Sequence, residues 1–214
     1  RYVTTVDQDA DILATWEATA ANDLSSFNKQ VDMSISSQMS SPTGFCWADG
    51  GNKSYICDSS NIYQYNMGSI YVASGSYANK SLGSLNSVSG VLVSDDGTQI
   101  YACRSNGSGL YHYTMSTAFD LSTASGASSG STFSLPSQTG LDDWQDMVYQ
   151  DSGNKLYIID STKEMFEYNL STAYRIETAS FVKKFSIGSP GDIKGFDIRA
   201  NGSRFFERQD RRYV

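Results

Sequence analysis

The sequence predicts an all-β fold, a β-propeller of about four blades, each an antiparallel four-stranded sheet. One phrase recurs four times: a β-like run, a glycine turn, a strand with a ring residue, and a strand ending in tyrosine. Its ring residues are spaced 46, 56 and 48 apart, at Tyr55, Tyr101, Tyr157 and Phe205. A composition with 39% hydrophobic and only 18% charged residues suits short strands joined by polar turns.

Each copy presents its elements in the same order. An apolar or alternating run, such as Phe45 and Trp47 in the first copy, indicates an inner strand. A turn such as Asp96-Gly97 then reverses the chain, because glycine accepts the positive φ of a tight turn. Segments 131–135 and 181–187 supply outer strands. A second tyrosine series marks the strand that precedes the outer strand of each blade: Tyr65, Tyr113, Tyr168 and Tyr213.

The repeat organises the chain as one propeller domain, because each blade needs a neighbour to cover its faces. Full blades are predicted at 44–89, 90–145 and 146–194, with a part-blade at 195–214 and a degenerate part-blade at 1–43. Both ends of the chain read Arg-Tyr-Val, so the terminal strands are predicted to share a blade, with 27–36 as its outer strand. Residues 11–21 predict a short helix capped by Asp11.

The connector after the third strand is itself repeated, as STAFDLSTAS after Met115 and STAYRIETAS after Leu170. Together with DDGTQIYAC and SGNKLYIID, these phrases resemble the propeller repeats of marine bacteriophage structural and tail-fibre-like proteins, also found in bacterial surface proteins. The resemblance covers 44–214 well and 1–43 poorly. Arg175 departs from the family pattern, which has aspartate there. The resemblance implies a structural role in a virion or on a cell surface.

Few residues in this pattern carry chemistry, which favours a protein that is not an enzyme. His112 is the single histidine, and its predicted strand position without a nucleophile elbow indicates a structural role. Glycoside hydrolysis needs two carboxylates and stays open through Asp142 and Asp143, beside which Trp144 could stack on a sugar. Two rings outside the fixed repeat positions are further binding candidates: Tyr71 and Tyr77.

An acidic triplet near the start is the candidate metal site. Asp7, Asp9 and Asp11 form D-x-D-x-D, as at the opening of calcium loops. The glycine and glutamate of an EF-hand are replaced by Ile12 and Ala18, so a solvated acidic turn is the alternative. Calcium is the one cofactor left open, and no other is predicted.

The three cysteines match no disulfide framework and no zinc spacing. Cys57 and Cys103 share one repeat position, which predicts small buried core residues. A disulfide between Cys46 and Cys57 stays open. Five N-x-S/T sequons would accept glycans only in a eukaryotic secretory pathway: Asn52, Asn79, Asn106, Asn169 and Asn201.

Charge and apolar patterning limit the partners. A net charge of −7 disfavours a phosphate backbone, and no apolar run reaches the length of a membrane span, so neither nucleic acid binding nor membrane insertion is predicted. The leading prediction is a non-enzymatic structural or adhesion module of a phage particle or tail fibre, which self-assembles or joins other structural proteins. The alternative is a secreted or cell-surface propeller that binds glycans or forms filaments.

Overall fold

The computed structural model describes residues 2–7, 12–18, 27–69, 72, 76–78, 85–106, 109–126, 132–133, 135, 143–188, 192–198 and 205–210. Within these residues the regular structure consists of strands and short 3-10 turns. The all-β prediction is therefore confirmed. No helix in the described part of the chain is long and apolar enough to cross a membrane.

The strands form five antiparallel sheets in chain order. Sheet I contains β1 (Tyr2–Asp7), β2 (Ile12–Ala18) and β3 (Phe27–Ser34). Sheet II contains β4 (Gly44–Ala48), β5 (Lys53–Cys57), β6 (Ile62–Asn66) and β7 (Ser76–Ala78). Sheet III contains β8 (Val88–Val93), β9 (Gln99–Arg104), β10 (Leu110–Met115), β11 (Ala124–Gly126) and β12 (Thr132–Phe133).

Sheet IV contains β13 (Trp144–Gln150), β14 (Lys155–Asp160), β15 (Glu164–Leu170) and β16 (Ala179–Ser186). Sheet V contains β17 (Asp192–Ile198) and β18 (Phe205–Asp210). Sheets II and IV are simple meanders, whereas in sheet III both β11 and β12 pair with β10. The outer strands expected at 131–135 and 181–187 thus correspond to β12 and β16.

Successive sheets pack through their first strands. A Cβ atom on Gly44 would lie 2.6 Å from the Ser89 carbonyl oxygen, and one on Gly90 would lie 2.9 Å from Asp146 Oδ1. Only glycine permits so close an approach. Asp146 stands at the equivalent position of sheet IV, where its Oδ2 accepts a 3.1 Å hydrogen bond from the Phe196 backbone in sheet V.

Hydroxyl groups also join neighbouring sheets. Thr43 precedes the opening glycine of sheet II, and its hydroxyl donates a 2.8 Å hydrogen bond to the Val88 carbonyl of sheet III. Ser89 holds the same position in sheet III, and its hydroxyl donates to the Trp144 carbonyl of sheet IV. Each bond links a side chain at the start of one sheet to a backbone carbonyl at the start of the next.

The apolar core lies between these sheets. Cys57 and Cys103 are fully buried in it, which confirms the repeat-based prediction for both. All three cysteines, including Cys46, are free thiols, so the disulfide left open by the sequence is not formed. The ring residues of the repeat supply much of this core: Tyr55, Tyr65, Tyr101, Tyr113 and Tyr168.

The strand register corrects one anchor of the repeat. In sheet II the anchor Tyr55 faces Cys46. The corresponding residue of sheet V is Asp197, which faces Phe206. The last anchor is therefore Phe206 and not Phe205, because two adjacent phenylalanines left the alignment of letters ambiguous.

The start of the chain also differs from its prediction. Residues 12–18, expected within a helix, form β2, whose backbone pairs with β1 on one side and β3 on the other. Pairing on two sides outweighs the helix preference of the alanines. The predicted outer strand at 27–36 is present as β3, but it pairs with β2 instead of the C-terminal strands. Among the described residues β17 and β18 form a separate sheet, so ring closure stays a prediction.

The outermost strand of sheet IV is exposed along most of its length. Phe181, Val182 and Phe185 are 38%, 42% and 47% exposed. Between them, Lys183 and Lys184 form ion pairs with glutamates of the adjacent strand β15. The strand thus combines apolar rings and paired charges at the edge of its sheet.

Candidate functional site between sheets III and IV

The repeated connectors are held against the first turn of their own sheets. A Cβ on Gly97 would lie 2.5 Å from the Phe119 ring, and one on Gly153 would lie 2.5 Å from the Tyr174 ring. In each case the aromatic residue also donates a 2.8 Å backbone hydrogen bond to the glycine carbonyl. Because the ring position is fixed in this way, the residues after it are directed onto the preceding sheet.

The two connectors make equivalent contacts with different side chains. After Phe119, the Leu121 backbone N–H donates a 2.6 Å hydrogen bond to Gln64 of sheet II. Gln64 faces Tyr55 across the ladder, and the residue that faces Tyr101 in the same way in sheet III is His112. His112 therefore holds in sheet III the position that Gln64 holds in sheet II, and the second connector packs at the corresponding place.

At this second interface Tyr101 contacts both His112 and Glu177, and Arg175 lies on the same connector as Glu177. The Tyr101 hydroxyl donates a 2.7 Å hydrogen bond to Glu177 Oε2. The His112 ring stacks on the Tyr101 ring, with centroids 4.5 Å apart and planes 11° from parallel. Arg175 Nη2 lies 3.7 Å from Asp96 Oδ2, which holds the guanidinium beside the first turn of sheet III. We name His112, Tyr101, Arg175 and Glu177 the interface cluster.

A buried glutamine fixes the tautomer of His112. Gln99 Nε2 donates a 2.8 Å hydrogen bond to the Thr98 carbonyl, so its Oε1 is directed at His112 Nε2, 2.6 Å away. An amide oxygen only accepts, so Nε2 carries the proton and Nδ1 is the basic nitrogen. Burial lowers the pKa of His112, and Arg175 lowers it further, although Glu177 acts in the opposite direction. His112 is therefore neutral at pH 7.

Tyr101 remains a hydrogen-bond donor over the physiological range. Its side chain is fully buried, and burial is the main cause that raises its pKa, followed by its bond to the Glu177 carboxylate. A protonated tyrosine bound to an ionised carboxylate is a strong, directional pair. The pair anchors the second connector to sheet III beside His112.

The structure buries Trp144, the residue expected from the sequence to stack on a sugar. Trp144 is only 1% exposed and packs in the core between sheets III and IV, so its ring offers no face to a sugar. Asp143 is half-buried, and its carbonyl accepts a 3.1 Å hydrogen bond from the Ser161 backbone. Tyr77 lies on β7, and two further candidates fall outside the described residues: Asp142 and Tyr71.

The metal and glycan predictions are only partly covered by the structure. Asp7 ends β1, and the other two aspartates of its triplet lie outside the described residues: Asp9 and Asp11. Where the chain is described, no three acidic, histidine or cysteine side chains are grouped to hold a metal ion. Three sequons are exposed, at Asn52, Asn106 and Asn169. Two more lie outside the described residues: Asn79 and Asn201.

Comparison with known proteins supports the fold. No protein-family model matches the chain, and no curated protein does. A protein of unknown function from Desulfotomaculum acetoxidans is 11% identical and has a TM-score of 0.59, with 97% of this chain and 62% of that chain covered. The periplasmic gluconolactonase of Pseudomonas aeruginosa is 12% identical with a TM-score of 0.59, over 93% of this chain and 58% of its own.

A third solved structure is a protein of Bacteroides uniformis whose assignment as a 6-phosphogluconolactonase is provisional. It is 11% identical with a TM-score of 0.59, over 97% of this chain and 60% of its own. The chain thus spans about three fifths of the length of these structures, and it shares their propeller-like all-β fold.

These similarities correct the functional prediction. Two of the three structures carry the names of enzymes, and none is a phage protein, so the prediction of a non-enzymatic module of a phage particle or tail fibre is wrong. The same names give no support to a glycan-binding or filament-forming surface propeller. The predictions about oligomers, location and glycans stay untested.

Sequence reasoning assigned His112 a structural role and treated Arg175 as an irregularity of the repeat. The signal that could have identified the site is the departure of these positions from the repeat. At equivalent positions sheet II and the first connector have glutamine, aspartate and serine, where the second interface has His112, Arg175 and Glu177. Three substitutions by ionisable residues at one interface indicate a local function that the repeat does not require.

Proposed function

We propose that this propeller is a hydrolase that opens a lactone of the gluconolactone type, with His112 as its general base. The observation that supports the proposal most directly is the neutral His112, whose tautomer Gln99 fixes, placed among Arg175, Tyr101 and Glu177. The names of two proteins with the same fold agree with this reaction class.

The chemistry needs one proton acceptor and one positive charge. In lactone hydrolysis, water adds to the ring carbonyl while His112 Nδ1 accepts the water proton. The Arg175 guanidinium is the cation available to stabilise the negative charge that develops on the carbonyl oxygen. The ring C–O bond then breaks, and the imidazolium returns the proton to the leaving oxygen, which gives a hydroxy acid.

The remaining two residues of the interface cluster, Tyr101 and Glu177, position His112 and Arg175. The Tyr101 ring supports one face of the His112 imidazole, and its hydroxyl fixes Glu177. Glu177 lies two residues after Arg175 in the same connector, so this bond also limits where the guanidinium can move. The ion pair with Asp96 also limits the position of the Arg175 guanidinium.

The test is the hydrolysis of glucono-δ-lactone, followed by the acid released and corrected for the spontaneous reaction. The variant His112→Gln places at this position the residue that sheet II already has, and we expect a loss on the order of 10²-fold or more. Lys184→Gln on β16 is the control and should keep full activity. A wild-type rate no greater than the spontaneous rate, or an unchanged His112→Gln variant, would refute the proposal.

A further inference from the structure

A buried carboxylate at the end of β14 has one oxygen that is fully used and one that is not. Asp160 is completely buried. Its Oδ1 accepts hydrogen bonds from the Thr162 backbone at 2.9 Å, the Thr162 hydroxyl at 2.7 Å and the Glu164 backbone at 3.0 Å. Its Oδ2 is buried and accepts no hydrogen bond from the residues that the structure describes. An unused buried carboxylate oxygen is costly and calls for a donor.

The equivalent carboxylate of sheet II shows what that donor can be. Asp58 directly follows β5, at the repeat position that Asp160 occupies at the end of β14, and its Oδ1 accepts from two backbone N–H groups of the turn after it. Its Oδ2 accepts a 3.1 Å hydrogen bond from the Tyr63 hydroxyl. The register places Phe166 at the position of Tyr63 in sheet IV, so the hydroxyl is absent there.

A second unused polar atom belongs to the residue opposite Asp160 on the neighbouring strand. Trp144 is the cross-strand partner of Asp160 in the β13–β14 ladder. Side chains of directly opposed residues leave the same face of a sheet, with Cβ atoms about 5 Å apart. The Trp144 Nε1–H is buried and has no acceptor within the described part of the chain. One donor and one acceptor, both unused, therefore share one face of sheet IV.

We propose that the space between Trp144 Nε1 and Asp160 Oδ2 is a binding site for one internal water molecule. The water accepts from the indole N–H and donates to the carboxylate oxygen, so it satisfies both atoms at once. A buried water needs two or more polar partners, and this site provides them. In sheet IV the water replaces the hydroxyl that Tyr63 supplies in sheet II.

The arrangement favours water over a cation at this site. Burial raises the pKa of Asp160, which means that its surroundings do not favour a negative charge. An indole N–H also repels a cation, because it only donates. A neutral molecule that both accepts and donates fits the two groups, and the core between sheets III and IV leaves the rest of the surroundings apolar.

The test is a crystal structure of the wild-type chain at a resolution that shows ordered water, together with the variant Phe166→Tyr. We expect one water-sized peak within about 3.2 Å of both Trp144 Nε1 and Asp160 Oδ2 in the wild type. In Phe166→Tyr the new hydroxyl should bond to Asp160 Oδ2 and displace the peak. The loss of the peak is the readout and not a gain in stability, because the water already bonds to Asp160 Oδ2 in the wild type.

The reciprocal variant Tyr63→Phe is the matched control. It removes the hydroxyl from Asp58, so its melting temperature should fall by about 2–4 °C, the shift expected for the loss of one buried hydrogen bond in a chain of this size. The proposal is overturned if the wild-type density shows a direct bond between Trp144 Nε1 and Asp160 Oδ2, or a metal ion with several oxygen ligands. The absence of a water peak at the wild-type site would also overturn the proposal, whether or not Phe166→Tyr folds.

Discussion

The Tyr101 hydroxyl of sheet III donates a 2.7 Å hydrogen bond to the Glu177 carboxylate of sheet IV, across 76 positions of the chain. The equivalent tyrosine in sheet II is Tyr55, which is buried just as completely. Its hydroxyl has no hydrogen-bond partner among the described residues. One repeat position thus holds the same residue in two electrostatic settings, and the pair allows the bond to be measured within one protein.

Tyr101→Phe and Tyr55→Phe should change stability differently. Tyr101→Phe removes a bond to a carboxylate, so the free energy of unfolding should fall by about 1–2 kcal/mol. Tyr55→Phe removes a buried hydroxyl without a partner, so stability should stay the same or rise. Urea unfolding of both variants measures the difference. Equal losses in the two variants would mean that the Glu177 bond adds nothing.

Gly153→Ala should be more destabilising than Gly50→Ala. Both glycines have positive φ, but a Cβ on Gly153 would lie 2.5 Å from the Tyr174 ring, whereas Gly50 has open space around it. We expect a loss of about 1 kcal/mol for Gly50→Ala from backbone strain alone, and about 2 kcal/mol or more for Gly153→Ala. Thermal unfolding of the two variants provides the comparison, and equal losses would contradict the contact with Tyr174.

The stability of the protein should depend on pH through His112. Its pKa in the folded state is lowered, so the unfolded chain binds more protons as the pH falls below about 6.5. This contribution is complete above pH 6.5 and is lost on acidification. Denaturant unfolding from pH 5 to pH 8 should therefore show a smaller slope in His112→Gln than in the wild type. Parallel curves would mean that His112 has an ordinary pKa.

Ser89→Ala should weaken the contact between sheets III and IV. The change leaves the Trp144 carbonyl without the hydroxyl that joins it to sheet III, and we expect a loss of about 1–2 kcal/mol. Ser59→Ala is the control, because Ser59 is exposed and, within the described ranges, its hydroxyl bonds only to the neighbouring Ser60. Unfolding by urea measures both, and the hydroxyl bond is unimportant if the two variants are equally stable.

The sequence predicted the repeating parts of the fold well, because strand pairing leaves a local pattern. The glycine turns, the tyrosine positions and the buried Cys57 and Cys103 all follow from spacing alone. The first sheet was harder to predict. Residues 12–18 are rich in helix-forming alanine, and their strand conformation depends on pairing with β1 and β3, which a local pattern does not contain.

The candidate site was missed for a related physical reason. Tyr101 contacts both His112 and Glu177 only because the connector of one sheet packs on the preceding sheet, a contact between distant parts of the chain. Trp144 is the opposite case, because the sequence suggested a sugar-stacking role for a ring that is buried. An aromatic residue beside two aspartates suggested an exposed loop, but its ring is the first inward position of β13 and is covered by sheet III.

The edge strand β16 has a consequence for the behaviour of the protein in solution. Phe181, Val182 and Phe185 on an outer strand form a template on which another chain could add a strand. Lys183 and Lys184 interrupt that template with positive charge, and each is kept in place by a glutamate of β15. The two charged lysines therefore oppose the addition of a further strand. Acetylating both would remove their positive charge, and we expect the protein to aggregate more readily.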